Sequence, residues 1–243
     1  MARQFAVFDI DGTIVRTSLL QLTVKELVNR GRLDGAVAGD IDRVIHDARQ
    51  RIKDDDFGSY MKQAVDMLMK HSGGALKLSE YEESLEAVVH SLISSTYVYT
   101  RQLIDTLRSK NFYLIAISGS EQRAVEAVSK VLGFNTCAAG VKYIDNGTHL
   151  TGEVTSYGTK KDEILRAILQ SQQLSTKGSL AVGDTSSDIA LFTMVEQPIA
   201  FNPNQTLFAE ARKNGWMVVL ERKDVVYGLQ PENGRYVLKS VNI

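Results

Sequence analysis

The chain holds a single cysteine, Cys137, so no disulfide can form within it, and no Cys/His spacing suggests a zinc site. Proline is almost as scarce. Pro198, Pro203 and Pro231 all fall in the last quarter, which leaves the first half free to build helices. No apolar run approaches the length that spans a bilayer. The stretch Met1-Ala2-Arg3-Gln4 runs directly into Phe5 without the apolar segment and cleavage site of a signal peptide. A cytoplasmic location with no membrane anchor is the expectation. An excess of charge of one sign is missing too: the formal net charge is −1, so no global field draws in nucleic acid or an acidic membrane. No repeat or low-complexity linker interrupts the 243 residues, 44% of them hydrophobic, enough for one sizeable core with or without a smaller companion.

What the chain does have is a change of rhythm. Residues 5–9 form a short apolar run ending in acid before Gly12, which reads as a buried strand followed by a loop. From about residue 18 to 95 apolar side chains recur at helical spacing. Met61, Ala64, Val65, Leu68 and Met69 make one stripe and Leu85, Val88, Val89, Leu92 and Ile93 another, parted by Gly73-Gly74. With helices near 20–30 and 40–52, this predicts a helical insertion of roughly four helices. After residue 98 strands and helices alternate. Helix 100–109 precedes strand 112–117, a helix runs from Ser120 to before Gly133, and strand 136–141 leads into a hairpin around Asp145-Asn146-Gly147. Helix 159–171, strand 179–182, a short helix through Met194, and strands 199–201 and 217–220 around helix 205–213 follow, with a weak edge strand at 235–241. The expected fold class is α/β: a Rossmann-like, doubly wound, mostly parallel sheet over 1–16 and 97–243, interrupted by the helical insertion 17–96.

In such sheets ligands bind beyond the carboxyl ends of the strands. Three predicted strand ends there carry polar groups: Asp9-Ile10-Asp11-Gly12-Thr13, Ser118-Gly119-Ser120, and Gly183-Asp184-Thr185-Ser186-Ser187-Asp188. If these strands are neighbours, carboxylates crowd one crevice. Two like charges about 4 Å apart cost about 4 kcal/mol at an effective dielectric of ~20. A divalent cation is the natural offset, and hard oxygen ligands favour Mg²⁺, with Asp9 and Asp184 as direct ligands. Such a site suits phosphoryl transfer, with one carboxylate as nucleophile. Asp11, two residues on from Asp9, points differently and could protonate a leaving oxygen and later deprotonate water. Ser118 and the Gly119 backbone N–H would hold phosphate oxygens, and Lys161 would add a positive charge. Asp188 would hydrogen-bond Lys161 or a metal-bound water.

These residues carry a resemblance. Phe8-Asp9-Ile10-Asp11-Gly12-Thr13, Ile117-Ser118-Gly119, Lys161 through Leu165, and Gly183-Asp184 through Asp188 resemble, in order, the four motifs of the haloacid dehalogenase-like (HAD) superfamily. The helical insertion and the hairpin after Gly140 resemble its phosphoserine-phosphatase-like branch, whose insertion is a C1-type cap. The resemblance implies Asp9 as nucleophile, Asp11 as acid/base, and Mg²⁺ held by Asp9, the Asp11 backbone carbonyl and Asp184. Lys160 and Lys161 are adjacent. Lys161 is preferred as the phosphate-site lysine because Ile164 and Leu165 then fall on the family's apolar helix face. Two positions depart from true phosphoserine phosphatases. A glutamate expected nine residues after the nucleophile is Ser18, and an arginine expected seven residues after a phenylalanine, if that is Phe57, is Ala64. The expected activity is therefore a Mg²⁺-dependent phosphatase acting on a small phosphomonoester other than phosphoserine, with Arg16, Arg49, Arg51, Lys53 and Lys62 available for another anionic group. Two alternatives stay open: a phosphotransferase using the same intermediate, and a non-enzymatic, receiver-like phospho-accepting module.

Overall fold

A computed structural model describes residues 2–50, 57–72, 74–156 and 160–242. The run Lys53-Asp54-Asp55-Asp56, together with Arg51 and Gly73, lies outside the described residues. Strand β1 (Gln4–Phe8) is apolar at every inward position on both faces. Phe5 and Val7 enter one buried cluster, Ala6 and Phe8 the other, and all four are fully buried. A strand buried on both faces must sit inside a sheet covered by helices on both sides. Complete burial of each large apolar side chain contributes roughly 1.5–3 kcal/mol.

The helices α1 (Leu19–Asn29), α2 (Gly35–Gln50), α3 (Phe57–Ser72) and α4 (Leu78–Ser95) follow β1, and α5 (Val98–Ser109) leads back to the sheet. Next come β2 (Tyr113–Glu121), α6 (Gln122–Leu132), β3 (Thr136–Asp145), β4 (Leu150–Ser156), α7 (Lys161–Gln172) and β5 (Ser175–Gly183). A 3-10 turn (Ser186–Asp188), α8 (Ile189–Phe192), β6 (Gln197–Phe201), α9 (Gln205–Asn214), β7 (Met217–Arg222), β8 (Val225–Glu232) and β9 (Arg235–Asn242) complete the order.

The sheet runs β4-β3-β2-β1-β5-β6-β7-β8-β9. Pairings from β3 across to β7 are parallel, while β4, β8 and β9 add antiparallel edges. Chain order runs outward from β1 through β2 to β3, then resumes at β5 on the other side of β1. This reversal is the topological switch point at which open α/β sheets place their ligands. The mostly parallel, doubly wound architecture expected from the alternation is what the structure shows. Three strands differ from expectation: β2 runs on to Glu121, past the expected helix start at Ser120, β5 begins at Ser175 rather than near 179, and β8 is unexpected, because Gly228 and Pro231 break its alternation.

The helical insertion does not pack alone. Leu19, Leu27, Ile41, Leu68, Leu85 and Leu92 share one buried cluster with Ala6, Phe8, Leu114 and Val182 of the sheet. Backbone bonds stitch the two as well. Gly74 N–H donates to Leu150 O at 2.7 Å, Leu78 N–H to Thr148 O at 2.8 Å, and Leu150 N–H to Leu76 O at 3.0 Å. Among the described residues, no helix is long and apolar enough to cross a membrane.

Candidate active site

The carboxyl ends of β1, β2 and β5 meet at the switch point, as their pairing requires. The loop after β1 is a tight turn: Ile14 and Val15 N–H both donate to Ile10 O, at 2.8 and 2.9 Å, and Gly12 N–H donates to Val15 O at 2.8 Å. Gly12 has φ +80°, a left-handed conformation that a side chain resists, and a Cβ there would collide with the Asp184 carboxylate. The glycine thus lets the β1 loop and the β5 end close on each other. Thr13, fully buried, then donates its hydroxyl to Asp184 Oδ1 at 3.1 Å.

Lys161 is the first residue of α7 and is 3% exposed. Its ammonium donates to Asp9 Oδ1 at 2.8 Å and to Asp188 Oδ1 at 2.7 Å. The second Asp188 oxygen accepts the backbone N–H groups of Asp184 and Thr185, both at 3.0 Å. Lys160, in contrast, is exposed and reaches Glu163 at 2.8 Å. Of the two adjacent lysines it is Lys161 that the fold brings to the acids, and Leu165 one turn on is fully buried beneath it.

Carboxylate oxygens of Asp9, Asp184 and Asp188 lie within 4.8 Å of one another. Burial is the main force on these acids. It pushes Asp9 up to about 7, with Lys161 pulling the other way and Asp188 and Asp11 adding to the rise. Burial followed by the Asp9 and Asp188 charges drives Asp184 well above the usual carboxylate range. For Lys161 burial favours the neutral amine, but the Asp188 and Asp9 charges outweigh it and hold the ammonium above its ordinary value. One ammonium against this many acids leaves a negative excess, and the donors are hard oxygens. Both features fit a divalent cation such as Mg²⁺.

The Asp11 side chain stands apart from that cluster. Its Oδ1 accepts Leu19 N–H, at the start of α1, at 2.6 Å. Its Oδ2 accepts the Ser118 hydroxyl at 3.2 Å and the Ser120 hydroxyl. Burial raises Asp11 too, against the hydrogen bonds from Ser120, Leu19 and Ser118. Ser118 and Gly119 sit at a bulge where β2 shifts register against β3. There Gly140 approaches Gly119 so closely that a Cβ on Gly140 would lie 3.0 Å from the Gly119 backbone.

Every site residue expected from the sequence, Asp9, Asp11, Ser118, Gly119, Lys161, Asp184 and Asp188, lies at this one edge. Thr13 and Ser120 fall inside these motifs, and nothing in the sequence tells which carboxylate each reaches. The cations available for another anionic group fare differently. Arg16 pairs with the buried Glu221 at 2.5 Å and lies over the Tyr97 ring at 4.6 Å, and Lys62 pairs with Asp66 at 2.7 Å. The side chain of Arg49 and all of Arg51 and Lys53 lie outside the described residues. Ser18 is buried and caps α1, its Oγ accepting Gln21 N–H at 3.1 Å, and Ala64 is fully buried.

Comparison with known proteins adds to this geometry. The family described as "haloacid dehalogenase-like hydrolase" matches residues 6–193. The chain is 23% identical over 225 residues to a phosphoserine phosphatase of Wolinella succinogenes, covering 91% of this chain and 96% of that protein. It is 26% identical over 145 residues to the "Inhibition of morphological differentiation protein" of Streptomyces azureus, covering 58% of this chain and 52% of that protein. A solved phosphoserine phosphatase carrying a phospho-aspartyl intermediate analogue shares the fold, with a TM-score of 0.66 at 20% identity, over 92% of this chain and 96% of that one.

Proposed function

The chain belongs to the haloacid dehalogenase-like hydrolases and is a phosphatase of that family, and from this premise we propose that it hydrolyses a small phosphomonoester through an aspartyl-phosphate on Asp9. The observation that carries the proposal is the contrast between two buried acids two residues apart. Asp9 faces Lys161, Asp184 and Asp188, while Asp11 faces Leu19 N–H and two serine hydroxyls. One is placed for attack on phosphorus and the other for proton transfer.

In the first step an Asp9 oxygen bonds to phosphorus as the ester P–O bond breaks, and Asp11 gives its proton to the departing oxygen. In the second, water attacks the aspartyl-phosphate, Asp11 takes the water's proton, phosphate leaves, and Asp9 is restored. Lys161, the Ser118 hydroxyl and the Gly119 N–H hold the phosphate oxygens. Asp188 keeps the Lys161 ammonium in place, since one of its oxygens is on Lys161 and the other on backbone N–H groups. Asp9, Asp184 and the Asp11 backbone carbonyl would hold Mg²⁺, which when bound supplies charge neutralisation and in-line orientation of the phosphate. Residues 17–96 serve as the cap over this crevice and limit the substrate to a small molecule.

The substrate is a small phosphomonoester other than phosphoserine. Ser18 is committed to capping α1 and Ala64 to the core, so neither takes the place of the glutamate and arginine expected for a serine substrate. The test is phosphate release across a panel of amino-acid, amino-alcohol and sugar phosphates with Mg²⁺, with and without EDTA, and with Asp9→Asn. EDTA and Asp9→Asn are expected to abolish release. Undiminished turnover by Asp9→Asn removes Asp9 as nucleophile, a dominant preference for phosphoserine overturns the substrate assignment, and transfer to added alcohols would mark a phosphotransferase.

A further inference from the structure

One hydroxyl at the site has no part in the reaction above. Ser120 lies two residues past Ser118 near the end of β2 and is 7% exposed. Its Oγ donates to Asp11 Oδ2, and its backbone N–H donates to Ser118 Oγ at 3.1 Å. Ser118 donates to the same Asp11 oxygen at 3.2 Å. A serine hydroxyl has one proton to give. Ser118 therefore cannot donate to Asp11 and to a phosphate oxygen together. With Ser118 as the sole hydroxyl on Oδ2, the arrival of phosphate would strip that oxygen of its donor at the moment Asp11 has to be in place.

We propose that Ser120 is a positioning residue for the acid/base: it holds Asp11 Oδ2 while the Ser118 hydroxyl turns to the substrate phosphate. The inference rests on the reading of Asp11 as acid/base and Ser118 as phosphate ligand. Three observations support it. Asp11 is pinned at both oxygens, by Leu19 N–H on Oδ1 at 2.6 Å and by hydroxyls on Oδ2, so the loss of one donor frees a carboxylate that is otherwise fixed. The Ser120 N–H bond to Ser118 Oγ occupies a Ser118 lone pair and leaves the Ser118 proton available to rotate. The Ser120 hydroxyl is also not spent on helix capping, because α6 is capped by the Glu121 side chain, which accepts Ala124 N–H at 3.1 Å.

The experiment compares kcat/KM for an alkyl phosphate that the enzyme turns over and for p-nitrophenyl phosphate. The parameter reports the steps through departure of the leaving group. An alkoxide needs a proton to leave and p-nitrophenolate hardly does, so a defect in the acid falls on the alkyl ester alone. Asp11→Asn is the reference and is expected to lower the alkyl value by ~10²-fold or more, with a much smaller loss for the aryl ester. Ser120→Ala is expected to lower the alkyl value by about 10-fold and the aryl value by less than ~3-fold, and Ser120→Thr to restore most of the loss. Should Ser120→Ala not fold, Ser120→Gly carries the same comparison. If Asp11→Asn shows no leaving-group preference, the acid/base reading falls, and the Ser120 proposal with it. If Asp11→Asn discriminates but the Ser120 variants slow both esters equally, or neither, the Ser120 proposal falls alone.

Discussion

At the carboxyl edge of the sheet, Asp9 and Asp188 share the Lys161 ammonium, and carboxylate oxygens of Asp9, Asp184 and Asp188 lie within 4.8 Å of one another. At the seam between α4 and α6, Glu121 is also buried, and among the described residues its Oε1 accepts no hydrogen bond. Its Oε2 accepts the Tyr81 hydroxyl at 3.0 Å and Ala124 N–H at 3.1 Å, and Arg123 lies 3.5 Å from its Oε1. Arg123 in turn reaches Asp145, at 2.5 Å, and the exposed Glu82, at 3.7 Å. Burial raises the pKa of Glu121 as it does those of the site acids. The two places use the same residue chemistry. What separates them is crowding: the seam buries one acid beside an arginine and a tyrosine hydroxyl, and the sheet edge draws the carboxylates of Asp9, Asp184 and Asp188 within 4.8 Å of one another. A perturbed carboxylate alone does not mark a functional site, whereas a converging set of perturbed carboxylates is a candidate for one.

That comparison can be broken most forcefully at its centre. Asp9→Asn should lower phosphate release by at least ~10³-fold with little loss of stability, while Glu121→Gln should leave kcat within about threefold. Steady-state kinetics beside thermal melts decide it, and a comparable kinetic loss at both positions would erase the distinction. Next in size is Gly12→Ala, which strains a left-handed residue and drives a methyl group into the Asp184 carboxylate. It should destabilise by about 1–3 kcal/mol and remove most Mg²⁺-dependent turnover, measured by melts and by Mg²⁺ titration of activity. Tyr81→Phe deletes the hydroxyl that reaches Glu121, and should cost about 1–3 kcal/mol in denaturant unfolding with kcat unchanged.

The smallest effect is one of pH. An acid whose folded pKa is raised adds stability that is complete below its unfolded value and lost as pH rises through the folded one. For Asp9, pushed up mainly by burial, the metal-free protein therefore loses stability between about pH 4 and about 7. Glu121 acts with the same sign. On the proposed reading Asp9 and Asp184 would hold Mg²⁺ as carboxylates, so the stabilising shift in Tm on adding Mg²⁺ should be larger near pH ~8 than near ~5.5, by the equivalent of about 1–2 kcal/mol at fixed metal. Glu121→Gln should leave that Mg²⁺-dependent difference intact, and its disappearance in this variant would make the seam part of the metal site.

Much of the sheet edge was legible because its chemistry lies in short contiguous runs: Asp9 through Thr13, Ser118 through Ser120, Gly183 through Asp188. Spacing along a strand end fixes which residues arrive there. It does not say which partner each will meet, so Ser120, 109 residues from Asp11, carried no signal of its contact. Glu221 was invisible for the same reason. It accepts Val98 and Tyr99 N–H at 3.1 and 2.9 Å and pairs with Arg16, joining both ends of the helical insertion to β7. β8 escaped because Gly228 and Pro231 interrupt its pattern, whereas β9, which alternates weakly, was expected as an edge strand and is one.

The backbone stitching between residues 74–78 and 148–150 bears on how this protein could be recombined. A chimera that transplants only the stretch between β1 and α5 from a relative would leave the Thr148 carbonyl and the Leu150 amide and carbonyl facing a stranger's chain. The natural unit of exchange is discontinuous, the insertion together with the β3–β4 hairpin, and shuffling libraries cut at the insertion's own ends would sever it.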